Sequence, residues 1–317
     1  MRRKSLLVII ALLIIIAVIA WAPLHFEIKK EIRIETPIEY VGRQFTDLRH
    51  WKNWNVAVRR LDSSGIKYSA SSSGINAFLQ SGDLLYTIIQ TNPAFVLVRS
   101  GQPGTREYHS LYAVSDSFGK STEVTWTRSL PPARWLKEKI IPDGEMEEGL
   151  KNLKNTLEDP LHIYGFPIRI GPVTDTLVIT CTATCAKKDK IAELNRLYQG
   201  IYGYAKRRKM PVADSRMANF TFRGKDSLQI DAGIPTSVNG DPENNISVLR
   251  MPTRGRMLIG SYEGPYSGLG KLYSAMGKYT RDKRLMKVAA VYEKYLTDPK
   301  SATDSLHMKI ELCFPVF

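Results

Sequence analysis

Cysteine and histidine are scarce in this chain, and each shortage excludes a chemistry. Three cysteines in 317 residues cannot build a disulfide framework. Cys181 and Cys185 stand four apart in an apolar run, about 13 Å along a strand and beyond disulfide reach. With Leu177, Ile179 and Ala183 they share one apolar face, as small buried hydrophobes do. A bond from Cys313 to either stays open. The five histidines lie scattered at positions 25, 50, 109, 162 and 307. No HExxH, paired CxxC, P-loop or GxGxxG occurs. In Gly264-Pro265-Tyr266-Ser267-Gly268 the serine stands one place late for a GxSxG elbow. Metal, nucleotide and Ser-His chemistry therefore have no residues to carry them, and no cofactor is expected.

Acidic residues are also in deficit. Lys and Arg number 45 against 31 Asp and Glu, a formal charge of +14. In a cytosolic protein this would point to nucleic acid, but no nucleic-acid motif is visible and the cations are dispersed. Their clusters, Lys206-Arg207-Arg208-Lys209 and Arg281 to Lys287, fall where predicted helices end. Cations suit the C-terminal dipole there, so these are solvated helix ends, with anionic lipid headgroups a weaker second role.

Charge is missing altogether from Leu6 to Ala22, seventeen apolar residues behind Met1-Arg2-Arg3-Lys4. That is the short end of a membrane span, roughly 17–25 residues. Ala20-Trp21-Ala22 fits the outline of a cleaved signal peptide, but Pro23 directly after it argues against cleavage. The expectation is an uncleaved anchor over residues 1–24, with Trp21 and His25 at the interface. Arg2, Arg3 and Lys4 have no acidic neighbours, whereas Lys29, Lys30 and Arg33 are interleaved with Glu27, Glu31 and Glu35. The positive-inside rule then leaves the N-terminus cytoplasmic and exports the rest.

Residues 25–160 read as a first exported domain. A strand from Phe26 to Ile34 leads into Thr36-Pro37-Ile38-Glu39, which has the pattern of a capping box with Thr36 as N-cap. A short helix with Val41, Phe45 and Leu48 follows. Strand-like runs then span Leu84 to Gln90, Phe95 to Ser100, Tyr108 to Val114 and Ser121 to Arg128, punctuated by turns at Asn92-Pro93, Pro103-Gly104 and Gly119. A helical stretch from Gly144 to Asp159 closes the domain with Met146, Leu150, Leu153 and Leu157 on one face. This order resembles the START-like superfamily, also called SRPBCC, which includes polyketide cyclases and lipid carriers. The residues behind the resemblance are Ile34-Glu35-Thr36-Pro37, the Asp47 to Trp54 segment and Glu148 to Lys154; Gly42 departs from it where the family often has Trp. It implies a helix-grip fold, an antiparallel sheet wrapped on the long C-terminal helix around an apolar cavity. Trp51 and Trp54 would be packing anchors.

Residues 161–317, after Pro160 and Gly165-Phe166-Pro167, contain a repeat. Leu194 to Tyr204 aligns with Leu269 to Tyr279 at a constant offset of 75 (269 − 194 and 279 − 204). Strand-like runs flank both, so the domain is two βαββ halves, and the whole chain is of the α+β class. Such halves can form one sheet with both helices on one face and a groove on the other. They resemble the GyrI-like effector-binding domain, also attached to AraC-type and multidrug-responsive regulators. The carrying residues are Gly264-Pro265-Tyr266, the Leu-x-x-Leu-Tyr helix, Tyr292 to Pro299 and the final Ile310 to Val316. No helix-turn-helix is present, so neither a regulator role nor a nucleic-acid partner carries over.

The resemblance implies a glutamate, Glu293, in a central aromatic pocket. There it would meet cationic amphipathic ligands or act as a general acid/base in hydrolysis. Strand parity makes Tyr295 its neighbour. Tyr262 and Tyr266 flank the groove, and the first-half counterpart of Glu293 lies near Met217. Without the resemblance, Glu293 reads as an exposed residue paired with Lys294 or Arg281, and Tyr198, Tyr204, Tyr273 and Tyr279 as core. The leading expectation is a membrane-anchored exported protein binding small apolar or amphipathic molecules, cationic ones included. The alternatives are a hydrolase using Glu293 and a non-catalytic envelope module.

Overall fold

Apolar and charged residues alternate from Phe26 to Ile34, and in the computed structural model they form strand β1 (Phe26–Ile34) with Ile28 and Ile34 buried. The structure describes residues 25–101, 108–117, 119–252, 255–297 and 307–317. The expected anchor over residues 1–24 and the turn at Pro103-Gly104 lie outside them, as do Asp298 and Pro299. Among the described residues, no helix is long and apolar enough to cross a membrane. Contacts divide the chain into two compact units, the first ending at Asp159 and the second running from Pro160 to Phe317.

In the first unit β1 is followed by α1 (Ile38–Thr46), helical turns between Leu48 and Arg59, and six further strands. These are β2 (Lys67–Tyr68), β3 (Phe78–Ser81), β4 (Leu84–Asn92), β5 (Phe95–Gly101), β6 (Tyr108–Ser117) and β7 (Ser121–Leu130). They make a seven-stranded antiparallel sheet in the order β1-β7-β6-β5-β4-β3-β2. Two helices follow, α2 (Pro132–Ile140) and α3 (Glu145–Glu158), and α3 buries Met146, Leu150, Leu153 and Leu157. The core is aromatic. Trp51 and Trp54 are fully buried, their indole N–H groups donating to the carbonyls of Phe45 and Gln44, and Phe45 stacks on Tyr112. Gly149 lets α3 approach this cluster, since a Cβ there would stand 2.9 Å from Trp126 Cζ3.

One local expectation fails here and one element is new. The capping box does not form: Pro37 is the N-cap of α1, and the Thr36 hydroxyl donates instead to the Leu157 carbonyl at the end of α3. Thr36 is buried, and its hydroxyl serves this tertiary carbonyl rather than accepting from an N–H of the first helical turn. Helix α2, with Pro132 as its first residue, was not anticipated.

The second unit is a duplication with exchanged edges. The first half comprises β8 (Ile168–Pro172), β9 (Leu177–Ala186), α4 (Lys190–Arg207), β10 (Arg216–Phe222) and β11 (Ser227–Thr236). The second comprises β12 (Ile246–Arg250), β13 (Arg256–Gly264), α5 (Leu269–Asp282), β14 (Tyr292–Tyr295) and β15 (Met308–Val316). All eight strands form one sheet, β12-β9-β11-β10-β14-β15-β13-β8. The βαββ cores meet at the antiparallel β10–β14 pair, where Arg216, Met217 and Ala218 face Tyr295, Lys294 and Glu293. Each half begins with one strand more than the repeat predicts, and that strand pairs with the other half: β8 with β13, β12 with β9.

The two faces of this sheet bury different things. On one, Leu197, Tyr198 and Ile201 of α4 and Leu272 and Met276 of α5 pack on Ile230, Leu258, Ile310 and Leu312. On the other, Val178, Met217, Met257, Ile259, Tyr292 and Cys313 form a separate apolar cluster. All three cysteines are free thiols, with Cys181 and Cys313 buried, and burial pushes the Cys313 thiol up to about 12.

Candidate functional site

Strand β14 delivers a carboxylate into the sheet–helix core. Glu293 is 2 % exposed. An unpartnered carboxylate at such a place would be costly, and three phenols satisfy it. Tyr266 bridges both oxygens at 3.1 and 3.0 Å, Tyr273 donates to Oε1 at 2.9 Å, and Tyr295 donates to Oε2. Burial first, and then the Glu293 charge, raise all three phenols above their ordinary range and keep them as donors.

The phenols come from three elements. Tyr295 lies two residues along the strand, on the same face by strand parity. Tyr273 projects from the second turn of α5. Tyr266 sits in the turn Tyr266–Gly268 that opens α5, a turn held from below by Tyr262, whose hydroxyl donates to the Pro265 carbonyl at 2.6 Å. Gly268 is required by that support: a Cβ there would meet the Tyr262 hydroxyl at 2.1 Å.

A cation completes the cluster. Lys190, first residue of α4, donates to Tyr266 Oη at 2.6 Å. Its ammonium stands 3.5 Å from the Phe220 ring centroid and 4.7 Å from that of Tyr266. Desolvation lowers its pKa and the Glu293 charge partly offsets this. Lys190, Tyr266 and Glu293 thus form an ion pair bridged by a phenol, with the lysine seated on aromatic faces.

The five residues expected to line one groove do not share one site. Glu293, Tyr295 and Tyr266 converge on the helix side, and Tyr262 supports Tyr266. Met217 belongs to the opposite face, where its side chain packs with Val178 and Tyr292. The exposed pairing of Glu293 with Lys294 is also corrected, because Lys294 points the other way and bonds Asp175 at 2.6 Å. Sequence reasoning missed Lys190 and Tyr273.

The opposite face holds a cavity of about 540 Å³. Val173, Val178, Met217, Met251, Met257 and Tyr292 line it, together with the loop Val288–Ala290. The sequence reads as strand from Val288 to Leu296, but β14 is only Tyr292–Tyr295. Asp231, Arg250 and Arg256 supply charge to its lining. Asp231 is already engaged by Thr182 and Gln229 at 2.8 and 2.9 Å. Its size and apolar lining are those of a small-molecule site.

The first unit has a cavity of similar volume, about 540 Å³, with a more polar wall. Tyr86, Tyr108, Tyr112, Trp126, Arg128 and Glu145 contribute to it. Arg128, mostly buried, pairs with Glu145 at 2.8 Å and stacks over Trp126. Among the described residues, no cluster of His, Cys, Asp and Glu could hold a metal ion.

No family model matches this chain, and no curated protein does. Among solved structures it is similar to the EcmrR C-terminal domain, at 15 % identity over 48 % of this chain and 98 % of that one, TM-score 0.41. A hydrolase from Listeria innocua aligns at 13 % identity over 47 % and 91 %, TM-score 0.37. CalU16 from Micromonospora echinospora aligns at 15 % over 42 % and 75 %, TM-score 0.33. Likeness at this level assigns no function to this chain.

Proposed function

We propose that the chain is a membrane-anchored binding protein for small apolar or amphipathic molecules, with the apolar cavity of the second unit as the ligand seat. The observation that carries this reading is the cavity itself: about 540 Å³ of space against Val178, Met217, Met257 and Tyr292, on the sheet face opposite the one that α4 and α5 pack on. A groove so lined gains from any ligand that removes its surface from water, at about 25 cal/mol per Å². The first unit's cavity, with Arg128 and its tyrosines, suits a ligand carrying an acceptor. The anchor is Leu6 to Ala22, and the basic Arg2-Arg3-Lys4 keeps the N-terminus in the cytoplasm with both units outside it.

The hydrolase reading is weaker. Both Glu293 oxygens are occupied by phenol donors, which leaves the carboxylate to hold structure rather than activate water.

Native mass spectrometry of the gently extracted full chain tests the proposal. A small molecule retained by the wild type and lost on Ala290→Trp, which fills the cavity from an exposed loop position, supports it. Retention of the same mass in Ala290→Trp would place the ligand elsewhere. Absence of any ligand, together with no saturable uptake of an apolar fluorescent probe, would overturn it.

A further inference from the structure

Helix α2 is short, basic and apolar on its outer side. Leu136 and Ile140, one turn apart, are 53 % and 68 % exposed, and Ile141 beyond them is 68 % exposed. Such clustered exposure of large aliphatics marks a contact surface. Arg134, Lys137 and Lys139 accompany them, against the single acid Glu138, whose carboxylate accepts from the Asp143 N–H at 3.2 Å. Arg134 also stacks over Tyr108 and Lys139 over Trp135.

The place of α2 says what it faces. Trp135 ties the helix to the first residues of β1: its ring centroid lies 5.2 Å from that of Phe26, and its indole N–H donates to the Glu27 carbonyl at 3.3 Å. Phe26 in turn pairs with Leu130, just before α2. The apolar run of the sequence ends at Ala22, four residues before Phe26. Four residues reach at most about 14 Å at ~3.3–3.6 Å each. If Leu6 to Ala22 lies in the bilayer, Phe26 and α2 are confined to its headgroup layer or the water just above it.

We infer that α2 is an interfacial helix that seats the first unit on an anionic phospholipid surface. Leu136, Ile140 and Ile141 enter between the headgroups, and Lys137, Lys139 and Arg134 meet the phosphates, the arrangement of in-plane amphipathic helices. The inference rests on the anchor in the proposed function.

The test uses the full chain reconstituted in vesicles of phosphatidylcholine with phosphatidylglycerol. A fluorescent label is placed at Leu136→Cys or Ile140→Cys in a Cys185→Ser background, the other native thiols being buried. Ile75→Cys is the control. It is 61 % exposed but lies at the opposite edge of the same sheet, roughly 25 Å from β1 at ~4.8 Å per strand. Lipids carrying a nitroxide near the headgroup should quench the labels at 136 and 140 several-fold more than the label at 75. Lys137→Glu/Lys139→Glu should weaken that quenching, as should replacing phosphatidylglycerol by phosphatidylcholine.

Alkaline carbonate separates the two levels of the argument. Release of the chain from membranes by carbonate overturns the anchor and this inference with it. A chain that resists carbonate while its labels at 136 and 140 stay unquenched leaves the anchor standing and overturns the interfacial helix. Labels shielded from water but not quenched by lipid would assign the surface to a protein partner, which also overturns it.

Discussion

Ala218 and Glu293 face each other across the β10–β14 pair, at the junction of the two halves of the second unit. They are also repeat equivalents, 75 positions apart (293 − 218), the offset that relates the two helices. One position of the duplication therefore holds a methyl group in one half and a carboxylate in the other. The first half provides the space, and α4 provides Lys190. This pair of positions therefore holds one carboxylate, and the phenols that satisfy it come entirely from the second half.

Glu293→Gln follows from that placement. The amide keeps one acceptor oxygen and turns an NH₂ group toward phenols that are already donors. Losing one charge-assisted bond and opposing a donor should cost roughly 1–3 kcal/mol of unfolding free energy, measured by chemical denaturation. Affinity of the apolar cavity should stay unchanged, because Glu293 lies on the other face. Loss of ligand without loss of stability would return Glu293 to the binding site.

The same cluster sets an alkaline limit. The phenols of Tyr266, Tyr273 and Tyr295 have raised pKa values in the fold, while the unfolded chain loses those protons near pH ~10. Their stabilisation is complete below that pH and falls as pH rises toward the folded values, where only the unfolded state has released protons. Lys190 acts oppositely: its lowered pKa means stability gained as pH rises toward its unfolded value of about 10.4. With three phenols against one amine, the net slope should be negative above pH ~10. Tyr273→Phe should flatten it, as read from denaturation midpoints across that range.

Packing gives a third test. A Cβ on Gly260 of β13 would stand 2.7 Å from Met276 Sδ and 2.8 Å from Leu272 Cδ1 of α5. Gly260→Ala should lower stability by about 1–3 kcal/mol, less if the Met276 thioether swings aside. Gly42→Ala has nothing within 4 Å of the added carbon and should not destabilise by overpacking.

Much of this architecture was legible from local pattern. Strand alternation located β4 to β7, and the Leu-x-x-Leu-Tyr repeat located α4 and α5. What escaped was whatever depends on partners far along the chain. Parity says that Glu293 and Tyr295 share a face, but not which face meets the helices. Tyr273 sits on the stripe of α5 and reads as core, and only the fold shows its hydroxyl turned to Glu293. The exchanged strands β8 and β12 are five residues each, too short to declare themselves, and each precedes the half to which it does not bind. Lys190 lies 103 residues from Glu293 (293 − 190), with no periodicity linking them.

Lys190 supports the last prediction. Its ammonium rests on Phe220 and Tyr266 and reaches Glu293 through the Tyr266 hydroxyl. Those groups are what a bound organic cation would need, aromatic faces worth about 0.5–2 kcal/mol and a nearby carboxylate. In the wild type the chain supplies that cation itself. Lys190→Ala removes it from Cγ outward and leaves space the length of a propylammonium group beside a carboxylate still held by its phenols. The variant should lose about 1–2 kcal/mol and recover part of it with n-propylammonium, since a ligand that binds only the folded state raises stability with its concentration. Thermal unfolding with added n-propylammonium checks this. The midpoint of Lys190→Ala should rise while the wild type stays flat, and Glu293→Gln in the Lys190→Ala background should abolish the rise. An equal response in the wild type would mean that Lys190 does not fill the seat.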